Sequence, residues 1–546
     1  MKKSLFVGLL MPVLLLCVFV SCDIIAEVSK ESTDYDGTET ETFEEENYDD
    51  IDSLRALKFT ELPDGTYSVK GDHDGMLALA RPAIVVIPES YEGKPVTVIG
   101  EAAFHGMFWI ETVVIPDTVT VLEKKAFAGC ERLEKIVSAK GVKTIGSYAF
   151  SQCPSLTKVT LHEGAEEILS AAFKGCSSLA EITIPSTVKQ INTGAFEDCS
   201  NLKKVNIAEV DAWCDISIGG NEAAPTHNGA DLYLNGEKLT SITIPAGKTD
   251  INNYLFLGCT SLETVIISEG FTKIGELAFA NNTNLKTVIM PDTVTDIERH
   301  AFWNCTSLID INLSKSLSSV GVHAFDGCSS LERVEIPESL TVISGEMFNL
   351  CSSLSSVIIP DTVKIIETAA FANCAFETIE LPKDLEQLGI GAFSGCKNLK
   401  TITLPECAIY LQSTFMNCQS LESITLASNT LIIGIDTFSG CIALKSIVIP
   451  ESVREIGPGA FHNCRSINSI KLPEGIVDIG PDAFRYCKSL SEINIPKTVT
   501  TIGQNAFDSC NNLKTIYFGG SAADWKNINI IKGAGISSST KIVYTE

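Results

Sequence analysis

The chain has 546 residues, 45% apolar and 20% charged, with 41 Lys or Arg against 68 Asp or Glu and a formal net charge of −27. So acidic a balance excludes the phosphate-neutralising surface that nucleic-acid binding requires. The length exceeds what one compact core usually holds, which leaves several domains or an array that grows in one dimension.

Residues 1–21 read as a secretory signal, with Lys2 and Lys3 before an apolar stretch from Leu5 to Val20 that is short for a membrane span. The segment ends Phe19-Val20-Ser21-Cys22. This resembles a bacterial lipobox, with Phe19 where Leu is usual, and implies cleavage before Cys22 and acylation of its thiol. Ordinary cleavage and secretion is the alternative. From Asp23 to Asp52 there are thirteen Asp or Glu and one basic residue, Lys30. Residues 22–58 are therefore expected to be a lipidated Cys followed by a disordered acidic tether, reaching roughly 35 Å as a random coil.

Residues 59–100 are expected to cap a fold. Phe59 to Leu62 and Tyr67 to Val69 flank Pro63-Asp64-Gly65, a hairpin signal. Ile84 to Pro88 and Val96 to Gly100 then anticipate a phrase that fills most of the remaining chain.

The plainest copy of that phrase runs from Leu490 to Asn512 and reduces to L-x-x-I-x-I-P-x-x-V-x-x-I-G-x-x-A-F-x-x-C-x-x. Its Phe recurs from Phe104 to Phe196 and from Phe256 to Phe507, seventeen copies at steps of 23, apart from two steps of 22 and one of 60. Alternation at Ile493, Asn494 and Ile495 predicts a strand with one buried face, and Pro496 ends it. Val499 and Ile502 turn inward on a second extended segment, Gly503 makes a turn that a side chain would obstruct, and Ala506 and Phe507 lead a short helical turn. One unit cannot bury its apolar face alone, so the units stack. Seventeen coils at the spacing of paired strands would span on the order of 80 Å.

Two stretches interrupt the period. After a first array (101–201), residues 202–238 hold Trp213, with Ile216 and Ile218 three and five places on. After a second array (239–512), residues 513–546 repeat that spacing with Trp525, Ile528 and Ile530. The terminal copy is expected to cap the array, and the internal one to be a cap-like module between arrays.

A fixed period with L-x-x-I-x-I marks a leucine-rich-repeat solenoid. The full phrase closely resembles the BspA-like leucine-rich repeats found also in treponemal surface proteins, over residues 59 to 546. The resemblance implies a right-handed coil with a parallel β-sheet on the concave side and short extended or helical turns. It also implies a bacterial cell-surface protein of a non-enzymatic family associated with adhesion to host proteins and with coaggregation. Ligand-binding residues are not fixed by a motif in that family.

Fifteen of the nineteen cysteines occupy the repeat position, from Cys130 to Cys510, with Met107 and Asn282 standing in twice. The substitutions and the lack of pairing between repeats favour a ladder of reduced thiols packed as small hydrophobes over disulfides. A zinc string would need clustered C-x-x-C or His partners. His300 and His323 share one repeat position in adjacent coils, where a metal is conceivable but two exposed polar residues are expected. No H-E-x-x-H, G-x-S-x-G or glycine-rich phosphate loop occurs, so no catalytic residue, metal or cofactor is assigned.

The candidate ligand-binding face is the outward row of the strands: Ser241, Thr243, Thr264, Ile266, Thr287, Ile289, Asn312, Arg333, Glu335, Ser356 and Ile358. A Ser/Thr surface with exposed Ile could bind protein or glycan, or simply be good strand formers in water. The expected function is adhesion by a lipid-anchored surface protein, outer-membrane or cell-surface in location, with host or bacterial surface proteins as partners and the membrane met only through the lipid. Glycan or peptide capture, for which Trp213 is the local candidate, and a structural envelope spacer are the alternatives.

Overall fold

The computed structural model describes residues 57–73 and 81–546, all inside one compact unit, Ile51–Glu546. The signal segment, Cys22 and the tether up to residue 56 lie outside the described residues.

Each copy of the phrase makes one coil of a parallel β-solenoid of about 19 turns with few helices. Most regular coils offer two strands to their neighbours. The longer lies before the Pro: Glu492–Ile495 pairs in parallel with Ser469–Lys471 on one side and Thr515–Phe518 on the other. Its alternate residues Ile493 and Ile495 are buried, as period-2 patterning requires. The shorter strand, Thr501–Ile502, pairs with Asp478–Ile479 and Asn529–Ile530. Two parallel ladders therefore run along the stack, with Val499 and Ile502 buried between them.

The turn expected at Ala506 and Phe507 takes the form of consecutive hydrogen-bonded turns, Ala506 N–H to Gly503 O and Cys510 N–H to Phe507 O. The backbone leaves the right-handed region on either side of Phe507, at Asn505 (φ 54°) and Ser509 (φ 60°). This frees alternate N–H groups to point along the stack: Phe484 N–H reaches Ala506 O at 2.8 Å and Tyr486 N–H reaches Asp508 O at 3.0 Å. Backbone groups that a helix would satisfy internally are satisfied by the next coil instead. Gly503 is required by proximity rather than by its φ. A Cβ there would stand 2.4 Å from Pro481 N and 2.6 Å from Gly480 C in the preceding coil.

The wide side of the core is a column of phenylalanines. Adjacent rings stack at 5.1–6.0 Å between centroids, 2–20° from parallel, from Phe104 to Phe196 and again from Phe256 to Phe507. In the first 22-residue step, Phe376 takes the place of the repeat Leu and packs edge-on to Phe371 at 5.7 Å. The longer ladder stops there at Ser356–Ile358 and is taken up by a single bridge, Thr378 to Thr401.

At the N-terminal end Leu57–Glu61 and Tyr67–Gly71 form the antiparallel hairpin, with Gly65 at φ 83° in its turn. The first strand begins two residues before the boundary expected from composition. Ser90–Tyr91 folds back on Lys94–Ile99 through Glu92 (φ 50°) and Gly93 (φ 77°). Two successive positive φ values are what a tight two-residue hairpin turn demands.

The two Trp-bearing stretches share an order of elements. Helix α1 (Val210–Cys214) lies between Lys204–Ile207 and Ser217–Ile218, and helix α2 (Ala522–Lys526) between Thr515–Phe518 and Asn529–Ile530. Trp is the fourth residue of both helices. Ser521 and Asp524 form a reciprocal capping box on α2, whereas Glu209 gives α1 no side-chain cap. The internal stretch adds a hairpin, Asp231–Leu234 against Glu237–Lys238. Among the described residues no strand pairing crosses from it into the second array: the longer ladder stops at Glu237–Lys238 and resumes at Ser241–Ile244, and the shorter stops at Ser217–Ile218 and resumes at Asp250–Ile251. Side chains span the gap. Asn252 Nδ2 donates to Ile216 O at 2.9 Å, Lys248 pairs with Asp211 and Asp215, and Asp231 Oδ1 accepts from Ser261 N–H at 2.8 Å.

Candidate binding face

The outward face of the longer ladder is built by register. Ser241, Thr264, Thr287, Asp310, Arg333 and Ser356 stand opposite one another in six successive strands. Two places on, Thr243, Ile266 and Ile289 align, as do Glu335 and Ile358. Each outward residue is set by a buried neighbour, Ile242, Val265, Val288 and Val334 among them, so the row cannot slip without burying its polar side chains. Asn312 is exposed but falls just past its two-residue strand, Asp310–Ile311, and stands outside the ladder. Thr264 and Ile266 are half-buried and the other nine of the eleven expected residues are exposed, Ile289 at 42% and Ile358 at 59%.

Ion pairs between neighbouring coils lie on and beside this face: Lys286 with Glu263 at 2.8 Å, Arg333 with Asp310 at 2.9 Å and, further along, Lys400 with Glu377 and Lys445 with Glu422, each at 2.7 Å. Their side chains are largely in water, where such pairs contribute about 0.2–1 kcal/mol at most. The face is therefore mixed, Ser/Thr and Ile with alternating charge.

The sequence places Trp213 as a local candidate for a pocket, and here the structure corrects the expectation. Trp213 is 1% exposed. It lies beside Ile184, Ile207 and Ile216, where α1 folds it under the coil, and its Nε1 is buried without a hydrogen-bond partner. No face of the ring is available for stacking on a sugar. Trp525 is only half-buried, edge-on to Phe518 at 5.2 Å.

The fifteen repeat-position cysteines are free thiols and all are buried. They are more than small hydrophobes. Every one except Cys259 donates its thiol hydrogen to the carbonyl oxygen of the Phe in the preceding coil, at 2.9–3.3 Å. The coil before Cys259 has no such Phe. Burial pushes the Cys153 and Cys199 thiols up to about 12, which removes the thiolate that nucleophilic or metal chemistry would use.

His300 and His323 do lie side by side, rings parallel at 4.6 Å between centroids. They are half-buried rather than exposed, because the left-handed residue two before each Phe tucks its side chain against the next coil. Burial, then the neighbouring His323 and Arg299, hold the His300 imidazole below its usual range. The sequence reading did not connect His323 with Glu346, its equivalent one coil further on, or with Asp326. The signal was available as the 23-residue offset between His323 and Glu346.

A family profile described as the BspA type leucine-rich repeat region matches residues 97–213, 229–355, 319–414 and 410–529, well over half of the chain. Among solved structures, the chain is similar to a leucine-rich repeat protein from Bacteroides ovatus, 24% identical over 90% of this chain and 98% of that one, with a TM-score of 0.42. It is also similar to a leucine-rich cell surface protein from Faecalibacterium prausnitzii, at 21% identity over 87% and 96%, TM-score 0.36. A third is a leucine-rich repeat protein of T. pallidum, at 22% over 51% and 88%, TM-score 0.28. No curated protein matches the chain.

Proposed function

Because the chain belongs to the BspA-type leucine-rich repeat family, we propose that it is an exported, lipid-anchored adhesion protein whose outward strand face docks protein partners. The observation that carries the reading is the register of that face: Ser241 to Ser356 and Thr243 to Ile289 form straight rows over consecutive coils. A large flat surface of modest contacts suits a macromolecular partner, with Ile266, Ile289 and Ile358 as its apolar anchors. Acylation at Cys22 and the acidic segment after it would hold this surface away from the membrane. We infer also that 59–100 and 513–546 act as caps and 202–238 as a joint between the arrays. Host matrix or plasma proteins and surface proteins of other cells are the expected partners. The burial of Trp213 disfavours glycan capture.

The test is immobilised chain screened at physiological salt against extracellular-matrix proteins, plasma proteins and glycans. Saturable binding of a protein, lost when Thr264, Ile266, Thr287 and Ile289 are replaced by Glu, is the expected result. Binding only of glycans, or no saturable binding by a folded chain, would overturn the proposal.

A further inference from the structure

We propose that His323, Asp326 and Glu346 form a binding site for a first-row divalent cation, Zn2+ or Mn2+, that staples two neighbouring coils. His323 and Asp326 flank Phe325 in one coil, and Glu346 occupies the His323 position in the next. His323 Nδ1 stands 3.0 Å from Asp326 Oδ2 and 3.5 Å from Glu346 Oε2, and one donor atom from each of the three lies within 4.8 Å of the others. Donors held about 2.1 Å from a common metal are themselves about 3–3.5 Å apart in a tetrahedral arrangement. The two His323 distances match that spacing, and the two carboxylates, within 4.8 Å of each other, would close to it on a bound ion.

The surroundings are built for the purpose. The Asp326 side chain is nine-tenths buried. Its Oδ1 accepts from Asn349 Nδ2 at 3.1 Å, which turns Oδ2 toward His323. Such an outer hydrogen bond is what orients a ligating carboxylate. His323 (φ 60°) and Glu346 (φ 54°) are both held in the left-handed region, which fixes where their side chains start. His300 stacks on one side of the His323 ring, with Trp303 edge-on to His300 at 6.0 Å. Both carboxylates face Nδ1, and the single N–H that a neutral imidazole can place there satisfies only one of them fully. A divalent cation satisfies all three groups at once. One imidazole and two carboxylates select borderline metals over soft ones, and the nearby Cys328 thiol is committed to Phe302 O at 3.3 Å.

The competing arrangement is an imidazolium bridging two carboxylates without metal. To separate the two, the full chain is stripped with chelator and titrated with Mn2+ by calorimetry at pH 7.5, because thiols hold Mn2+ weakly, and then with Zn2+ in competition. The expected result is one saturable Mn2+ site displaced by Zn2+, with a raised melting temperature. Affinity should fall at least about a hundredfold in Glu346→Gln and His323→Gln and about 10–100-fold in Asn349→Ala, with His105→Gln, in the first array, unchanged. The Glu346 side chain is 40% exposed, so Glu346→Gln keeps the fold and decides the matter if His323→Gln does not. No saturable site, or one indifferent to Glu346→Gln, would overturn the proposal.

Discussion

The thiol of Cys153 donates to the carbonyl oxygen of Phe127, 3.2 Å away in the coil before it. The same oxygen accepts the N–H of Cys130 at 3.2 Å within its own coil. The cysteine thus joins the turn of one coil to the turn of the next, at the foot of the aromatic column. Replacing Cys328 by Ala in mid-array removes a buried donor and a sulfur's volume, and should lower stability by about 1–3 kcal/mol. Cys328→Ser keeps the donor in a smaller, more polar group and should recover only part of the loss. Urea denaturation of the three proteins checks both statements. Equal stability of Cys328→Ala and the parent would mean that the hydrogen bond contributes nothing.

Burial of these thiols makes stability depend on pH in one direction. Their folded-state pKa is raised above the ordinary value of 9.0, to about 12 for Cys153, Cys259 and Cys305. A group with a raised folded pKa contributes fully below its unfolded pKa, and the contribution is lost as pH climbs toward the folded value. The urea midpoint should therefore stay level from pH 6 to 8 and fall between 9 and 12, by up to about 1.4 kcal/mol per thiol per pH unit. A thiol reagent at pH 8 should modify few cysteines in the folded chain and nearly all in denaturant without reductant. Recovery of almost none in denaturant would mean the ladder is cross-linked.

Phe348 stacks between Phe325 at 5.6 Å and Phe371 at 5.7 Å, whereas among the described residues Phe507 stacks on Phe484 alone, at 5.5 Å. Phe348→Ala should cost about 3–5 kcal/mol, the usual range for a core aromatic. Phe507→Ala should cost less, since one of its two stacking partners is already absent. Equal losses in equilibrium unfolding would refute the nearest-neighbour account.

How much of this was legible follows from where each constraint lives. The Phe and Ile columns were readable because burial selects residue type at a fixed offset. The left-handed residue two places after each Phe was half-readable, since Gly129, Asn304, Gly327 and Asn373 occupy it. The one two places before was not, because Tyr254, Leu277, His300 and Lys125 all adopt it. There the hydrogen bond to the next coil, such as His300 N–H to Val322 O at 3.1 Å, offsets a conformation that costs about 1–2 kcal/mol. The thiol-to-carbonyl bond left no trace either, since its acceptor is backbone. On the binding face the alternation gave the rows, but Asn312 fell outside its strand because pairing at Asp310–Ile311 is short, a matter of coil geometry rather than residue type.

Gly503 tests close approach apart from backbone conformation. Its φ is not left-handed, and a methyl group would meet backbone of the preceding coil at 2.4 Å. Gly503→Ala should force the two coils apart and cost about 1–3 kcal/mol. Were Gly503→Ala neutral in urea unfolding, the coils would be free to part at no cost and the close contact would not be a constraint.

The break in both ladders leaves the two arrays joined at the shorter ladder by side chains rather than by strand pairing. Where a regular coil would place a backbone bond, such as Gly275 N–H to Ile251 O at 2.9 Å, the amide of Asn252 reaches Ile216 O at 2.9 Å and Cys214 O at 3.4 Å. Lys248 adds ion pairs to Asp211 at 2.6 Å and Asp215 at 3.0 Å, its own side chain only 18% exposed. In a stack where each coil is held by its neighbours, a weakened junction is where cooperativity should fail first. Asn252→Ala with Lys248→Ala should therefore split one unfolding transition into two. The smaller first array should melt earlier because it has fewer coils to share its ends. In a background with Trp303 and Trp525 replaced by Phe, Trp213, buried next to the junction, and Trp109 in the first array report on that event by fluorescence, while far-UV circular dichroism reports mainly the longer second array. Noncoincident curves in the double variant, with coincident ones in the parent, are the expected outcome. Coincident curves in both would show that apolar contact across the gap couples the arrays without those polar links.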